Sequence, residues 1–178
     1  MKRFIIALSA VAVVAAACSS QTSKDSESAP ATSETTSTAS KPAAHVGDTL
    51  DLARVDGTKI GVTVMQVINP ATVAKGAGDP GKTYLATKLK LADTGTVPIE
   101  GDVNVNVALV GSDNQIYIPD LNDVTECTNF ESGEFHLEAG ESTTGCVVFA
   151  LPHGVTPTKV KYTPSAGFSP DFGEWQVS

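Results

Sequence analysis

No lysine or arginine lies between Lys90 and Lys159, while the same stretch holds 11 aspartates and glutamates. Seven of those fall between Asp120 and Glu141. The formal net charge is −8 over 178 residues. Such a chain lacks the basic patch that a phosphate backbone demands, which argues against nucleic acid as a partner. Other absences narrow the field further. There is no Walker or dinucleotide-binding fingerprint, and no serine sits in a nucleophile elbow with glycine on both sides. No Cys-x-x-Cys pair offers redox chemistry, and there are only three cysteines in all. None of the histidines, His45, His136 and His153, has a partner at zinc-like spacing. Beyond the first residues, no segment keeps helical periodicity over three turns. No apolar run reaches the roughly 20 residues of a membrane-spanning helix. No enzyme activity and no cofactor are expected.

The N-terminus is more informative. Met1-Lys2-Arg3 is followed by apolar residues from Phe4 to Val14 and then by Ala15-Ala16-Ala17. A charged start, a short apolar core and small residues predict a secretory signal peptide over 1–17. Cys18 comes directly after the small residues, so the segment resembles a bacterial lipoprotein signal with a lipobox, although Ala15 stands where leucine is usual. The resemblance implies that Cys18 is acylated, becomes the new N-terminus and holds the protein on the outer face of the plasma membrane. The alternative is a plain secreted protein with a thiol at Cys18. An odd number of cysteines in an exported protein needs an explanation. Acylation of Cys18 supplies one and leaves Cys127 and Cys146 as a natural disulfide pair. In an oxidising compartment that bridge closes a loop of about 20 residues and contributes roughly 3 kcal/mol.

Residues 18–44 read as a tether. Ser, Thr, Ala and Pro fill 20 of the 26 positions from 19 to 44, with no aromatic or branched aliphatic residue. That composition buries too little apolar surface to offset chain entropy and predicts disorder. At about 5–6 Å times the square root of its length, the segment reaches roughly 28 Å. Its 13 Ser and Thr residues are candidate acceptors for O-glycosylation. Loss of Lys2 and Arg3 with the signal peptide leaves 10 basic against 20 acidic residues, a net charge of −10. Membrane contact is therefore expected from acyl chains and not from a basic surface.

Residues 45–178 are long enough for one domain with its own core. Val103, Val105, Val107 and Leu109 alternate with Asn104, Asn106 and Ala108, which predicts a half-buried strand over Asp102 to Leu109. Thr83 to Leu91 places Leu85, Thr87, Leu89 and Leu91 on one face and Tyr84, Ala86, Lys88 and Lys90 on the other. Ile60, Val62 and Val64 alternate until the pattern slips near Met65-Gln66-Val67, a candidate bulge. Gly145 to Leu151 is apolar on both faces and reads as a central strand. Shorter strands fit Leu50 to Val55, Gln115 to Ile118, Lys159 to Tyr162 and Glu174 to Val177. Turns are signalled at Asp56-Gly57, Asp79-Pro80-Gly81, Asp93-Thr94-Gly95, Ser112-Asp113-Asn114 and Ala139-Gly140. The expected fold is an all-β sandwich.

Three stretches carry a family resemblance. They are His45-Val46-Gly47-Asp48-Thr49, then Tyr84 to Leu91 with Asp93-Thr94-Gly95, then Leu137 to Glu141 leading into Gly145 to Pro152. Together they resemble the immunoglobulin-like domain of unknown function found in lipoproteins of Gram-positive bacteria, and are similar to the mycobacterial family of immunoprotective extracellular antigens. The resemblance implies an immunoglobulin-like sandwich in the cell envelope with no assigned activity. Two features depart from antibody-type domains: Cys127 and Cys146 are too close for a bridge between sheets, and Trp175 lies near the C-terminus.

Candidate chemistry is sparse. The polar stretch from Asn122 to Glu138 shows no strong strand pattern, so the disulfide is expected to staple a loop. Asp120, Asn122, Asp123 and Glu126 are spaced like oxygen ligands, but lack the glycine and terminal glutamate of a calcium loop. Met65 is the only methionine left after processing, too few for copper handling. The function expected is a lipid-anchored binding module for an envelope protein or wall component. The alternative is a Ca²⁺-binding or structural envelope protein using the acidic stretch 120–141.

Overall fold

The computed structural model describes residues 43–76 and 78–177. The expected signal peptide, Cys18 and the tether up to residue 42 lie outside them. The strands, in chain order, are β1 (Ala44–His45), β2 (Thr49–Ala53), β3 (Lys59–Ile68), β4 (Lys82–Asp93), β5 (Ile99–Asp102), β6 (Val107–Gly111), β7 (Ile116–Tyr117), β8 (Glu134–Leu137), β9 (Ser142–Pro152), β10 (Pro157–Tyr162) and β11 (Gly173–Gln176). Among the described residues the only helical pieces are single 3-10 turns at Val103–Val105, Glu131–Gly133 and Ser165–Gly167.

Two sheets make a sandwich, one in the order β1-β11-β10-β6-β7 and the other β2-β3-β4-β9, with β5 and β8 as a separate pair. Pairing is antiparallel except between β1 and β11. The alternation in the sequence explains which faces meet. Leu85, Leu89 and Leu91 of β4 and Val147, Phe149 and Leu151 of β9 face Leu109, Val160, Tyr162 and Trp175 in one buried cluster. Each such side chain contributes roughly 1.5–3 kcal/mol by leaving water, so a one-residue slip in register would forfeit a whole face. Trp175 is fully buried, and its Nε1 donates to the Asp48 carbonyl at 2.9 Å. The bulge in β3 falls between Val64 and Gln66, where the register shifts and Met65 is exposed. The Asp56-Gly57 hairpin closes with Arg54 and Thr58 bonded at 2.9 Å.

Three expectations need correction. The alternating run from Asp102 to Leu109 is not one strand. Asp102 Oδ1 accepts the Asn104 N–H at 2.8 Å, and the Asn106 N–H bonds back to the Val103 carbonyl at 3.0 Å. That tight turn ends β5 and starts β6 in a different sheet. It buries Val103 and throws Val105 outward, 59% exposed.

β9 is an edge strand, not a central one. Its outer face is apolar because a second layer covers it: Val124, Val73, Ala71 and Cys127 pack on Tyr84, Ala86, Cys146 and Val148. Residues 120–130 also take its free edge. The Asp120 N–H donates to Val148 at 2.7 Å, and Cys146 donates to the Thr128 carbonyl at 2.9 Å. The ring of Phe130 crosses so close to the backbone that a Cβ on Gly145 would stand 2.7 Å from it.

The stretch from Asn122 to Glu138 is not simply a loop either. Phe135 and Leu137 alternate with Glu134 and His136 in β8, and both apolar residues are buried. Two periods are too few to stand out from a run of carboxylates.

Candidate functional site: an apolar groove running into acidic hollows

β7 is the outermost strand of its sheet. The sequence Ile116-Tyr117-Ile118 offers apolar residues to both faces, and the tyrosine takes the inner one. Tyr117 packs against the core while its hydroxyl donates to Asp113 Oδ2 at 2.7 Å. That bond holds the Asp113 carboxyl below its ordinary pKa and pushes the tyrosine hydroxyl above its own. Ile116 and Ile118 therefore face water, 66% and 78% exposed. Pro119 keeps Ile118 extended and supplies no N–H. The chain then crosses to β9 through Asp120, leaving Leu121 87% exposed.

These side chains border an open groove of about 460 Å³, lined also by Val105, Ala108 and Lys161. The Val105 turn and the 163–167 segment are joined by Asn106. Its Nδ2 donates to the Asp102 carbonyl at 2.9 Å, and its Oδ1 accepts the Ala166 N–H at 2.7 Å. Its backbone carbonyl accepts the Thr163 N–H at 2.7 Å. Asn106 is buried and its polar atoms are paired, so the turn is held rigidly. Lys161 lies with its Nζ 4.7 Å from the centre of the Phe172 ring, a cation–π contact. The neighbouring Tyr162 hydroxyl is buried, and burial pushes its pKa up.

At the Asn104 and Leu121 end the groove meets a small hollow of about 140 Å³ that contains Asp120 and Asp123. Through Ser132 this hollow meets a wider depression of about 560 Å³ bordered by Glu100, Asp102, Glu131, Glu134 and His136. Among the described residues no lysine or arginine lines either one. Gly133 at their junction has φ +80°, and a Cβ there would collide with Asp102 and Asn104.

The residues singled out in the sequence fall as follows. Cys18 lies outside the described residues. Cys127 and Cys146 form a disulfide with Cα atoms 6.2 Å apart; it ties the acidic segment to the outer face of β9 and does not cross the sandwich. Asp120, Asp123 and Glu126 each have separate work. Asp120 Oδ1 accepts from the Asn122 N–H and amide at 2.9 and 2.7 Å. Asp123 Oδ1 accepts from Asn129 Nδ2 at 3.1 Å. The Glu126 carboxylate receives the Thr72 N–H at 2.9 and 3.0 Å, and Thr72 holds its pKa down. Among the described residues no three His, Cys, Asp or Glu side chains converge as a metal site would require.

The histidines are likewise separate. His153 Nε2 donates to the Pro80 carbonyl at 2.8 Å, and Nδ1 lies 3.0 Å from the Thr83 hydroxyl. The ring pins the Asp79-Pro80-Gly81 turn, and its side-chain partner among the described residues is Thr83, not a carboxylate. His136 stands exposed between Glu100 and Glu138, at 3.8 and 3.4 Å. His45 lies in β1. The sequence reading does not single out the groove. Its one sequence signal is the run of apolar residues at 116, 118 and 121 around Pro119, where proline marks an edge.

The fold is that of an all-β sandwich, and solved structures match it. A secreted protein of Mycobacterium tuberculosis, MPT63, superposes with a TM-score of 0.58 at 18% identity, over 78% of this chain and 99% of that one. YcdA, a lipoprotein candidate of Bacillus subtilis, gives 0.55 at 17% identity, over 76% of this chain and 39% of its own. The YjhA protein of Bacillus subtilis gives 0.54 at 15% identity, over 76% and 99%. At these identities the likeness is one of fold. No protein-family model matches the chain, and no curated protein does. Among the described residues no helix is long and apolar enough to cross a membrane.

Proposed function

We propose that this chain is a lipid-anchored, extracytoplasmic binding module of the cell envelope, without enzyme activity, whose contact surface is the groove beside β7. One observation carries the reading. Of the ten large apolar residues exposed among the described residues, Val105, Ile116, Ile118 and Leu121 line this single groove, and Phe168 follows Gly167, which also lines it. Apolar side chains scattered singly over a surface are ordinary; gathered around a concave face on a rigid scaffold, they mark a contact site. Anchorage at Cys18 is supported by the signal-like N-terminus. The cross-linked Cys127–Cys146 pair fits an oxidising compartment. The fold is shared with a protein described as secreted and with a lipoprotein candidate. The same features support membership of the immunoglobulin-like lipoprotein family of Gram-positive bacteria, with an envelope protein or wall component as partner.

The test uses the full chain on intact cells with a photoreactive residue at position 118, and at the exposed Val97 as a control. The expected result is a discrete cross-linked product from position 118 only. Equal yields from both positions would show that the groove is not the contact surface. Cys18→Ser should move the protein out of the membrane fraction, since acyl chains are its strong attachment; a variant still sedimenting after high-salt washing would remove the anchor.

A further inference from the structure

We propose that the occupant of the groove is a polypeptide segment with apolar side chains followed by lysines or arginines, laid from the groove into the acidic hollows. This rests on the groove being a contact surface, and adds what it contacts. The three concavities are neighbours that share lining residues. Asn104 and Leu121 border both the groove and the first hollow, and Ser132 borders both hollows. Chemistry changes across them. The groove presents Val105, Ile116, Ile118 and Leu121, with Lys161 its one charge among the described residues. The hollows present Asp120, Asp123, Glu100, Asp102, Glu131 and Glu134, with no lysine or arginine lining them among the described residues. Asp120, Asp123 and Asp102 each already accept a hydrogen bond within the protein, so they act through charge and remaining lone pairs. An apolar segment alone would leave the carboxylates unmatched, and a basic segment alone would leave the isoleucines in water.

Other occupants match less of these concavities. A second copy of the processed chain, 10 basic against 20 acidic residues, would bring another net charge of −10 against these carboxylates. Residues 19–44 carry no aromatic or branched aliphatic side chain to fill the groove. An anionic lipid surface would be repelled by the hollows. A partner with both features gains burial at one end and long-range attraction at the other, and the attraction speeds encounter and falls with salt.

The test is a binding titration of the full chain carrying Cys18→Ser, purified after export, against three synthetic peptides. One has a Leu/Val/Phe half and a Lys/Arg half, one replaces each Lys/Arg with Glu, and one replaces them with Ser. Fluorescence anisotropy reads affinity. The basic peptide is expected to bind at least about tenfold more tightly than the Ser peptide at 50 mM salt and to lose most of that advantage at 500 mM. Asp120→Asn with Asp123→Asn should reduce that advantage by about threefold or more. Ile118→Ser with Leu121→Ser should weaken all apolar peptides alike. If the three peptides bind equally, and only the Ile118/Leu121 variant weakens them, the charge assignment is wrong while the groove stands. If no peptide binds and anionic vesicles do, the polypeptide assignment is overturned. If variants in neither place change any binding, the groove reading falls with it.

Discussion

Asn106 Oδ1 accepts a 2.7 Å hydrogen bond from the Ala166 N–H, and both residues line the apolar groove. This bond joins the turn that exposes Val105 to the segment ahead of Phe168. Asn106→Ala removes it together with the donor to Asp102. Two partners are then left unsatisfied, at about 1–3 kcal/mol in all. Chemical denaturation should show that loss with an unchanged slope, and Asn106→Asp, which sets a buried carboxylate oxygen against the Asp102 carbonyl, should lose at least as much.

Gly145 accepts no side chain beneath Phe130. Gly145→Ala places its methyl 2.7 Å from the ring, and should cost about 1–3 kcal/mol through overpacking. Pairing it with Phe130→Leu should recover part of the loss. A double variant no better than the single one would mean that the ring moves aside freely.

Thr87 is fully buried on the core face of β4, with its hydroxyl unpaired. Thr87→Val keeps the shape and removes an unsatisfied group, so it should stabilise the fold by about 1 kcal/mol or more, seen as a rise of roughly 3–6 °C in melting temperature. A fall would show that the hydroxyl has a partner in solution.

Much of the fold is legible in the sequence. β4 and β3 are readable because long alternating runs leave one register that buries a face, and the bulge at Met65 shows as a break in that alternation. The turns announce themselves through Asp-Gly and Asp-Pro-Gly chemistry. The Val103–Leu109 run misleads because alternation describes a strand and equally two short strands of different sheets joined by a turn; the Asp102 cap and the tertiary bonds of Asn106 decide between them. The double-faced apolarity of Gly145–Leu151 is real, but it reflects a covering layer from 71–73 and 124–127, which no local pattern records. The groove is illegible for a related reason. Whether Tyr117 or its isoleucine neighbours face the core depends on the bond to Asp113 and on the outermost position of β7.

Glu126 supplies a pH dependence. Thr72 hydrogen bonds lower its pKa in the folded protein. A depressed folded pKa means that the stabilisation is present above the unfolded carboxylate value and is lost as pH falls through the folded value. The link between 72 and 126 should therefore hold at neutral pH and loosen only in acid below the ordinary glutamate range. The Thr72 amide resonance in an NMR titration should report that transition, and Glu126→Gln should abolish it.

Reduction of Cys127–Cys146, or Cys127→Ala, frees the segment that covers the β9 edge. A loop of this length implies a loss of roughly 3 kcal/mol. Hydrogen exchange should quicken most at the Asp120 and Phe130 amides, which bond to β9, and least in the β3–β4 pair. Uniform acceleration across both sheets would mean that the segment is not a separate layer.

On the proposed reading, Ile118 and Leu121 serve a partner and contribute little to the fold. The most direct measurement is the melting temperature of Ile118→Ser/Leu121→Ser set beside its photo-cross-linking on intact cells, with the photoreactive residue at 116. Exposed positions away from special contacts change stability by about 0.5 kcal/mol or less. An unchanged melting temperature with the cross-linked product lost is expected. A large drop in melting temperature, or a product that survives both substitutions, would contradict it.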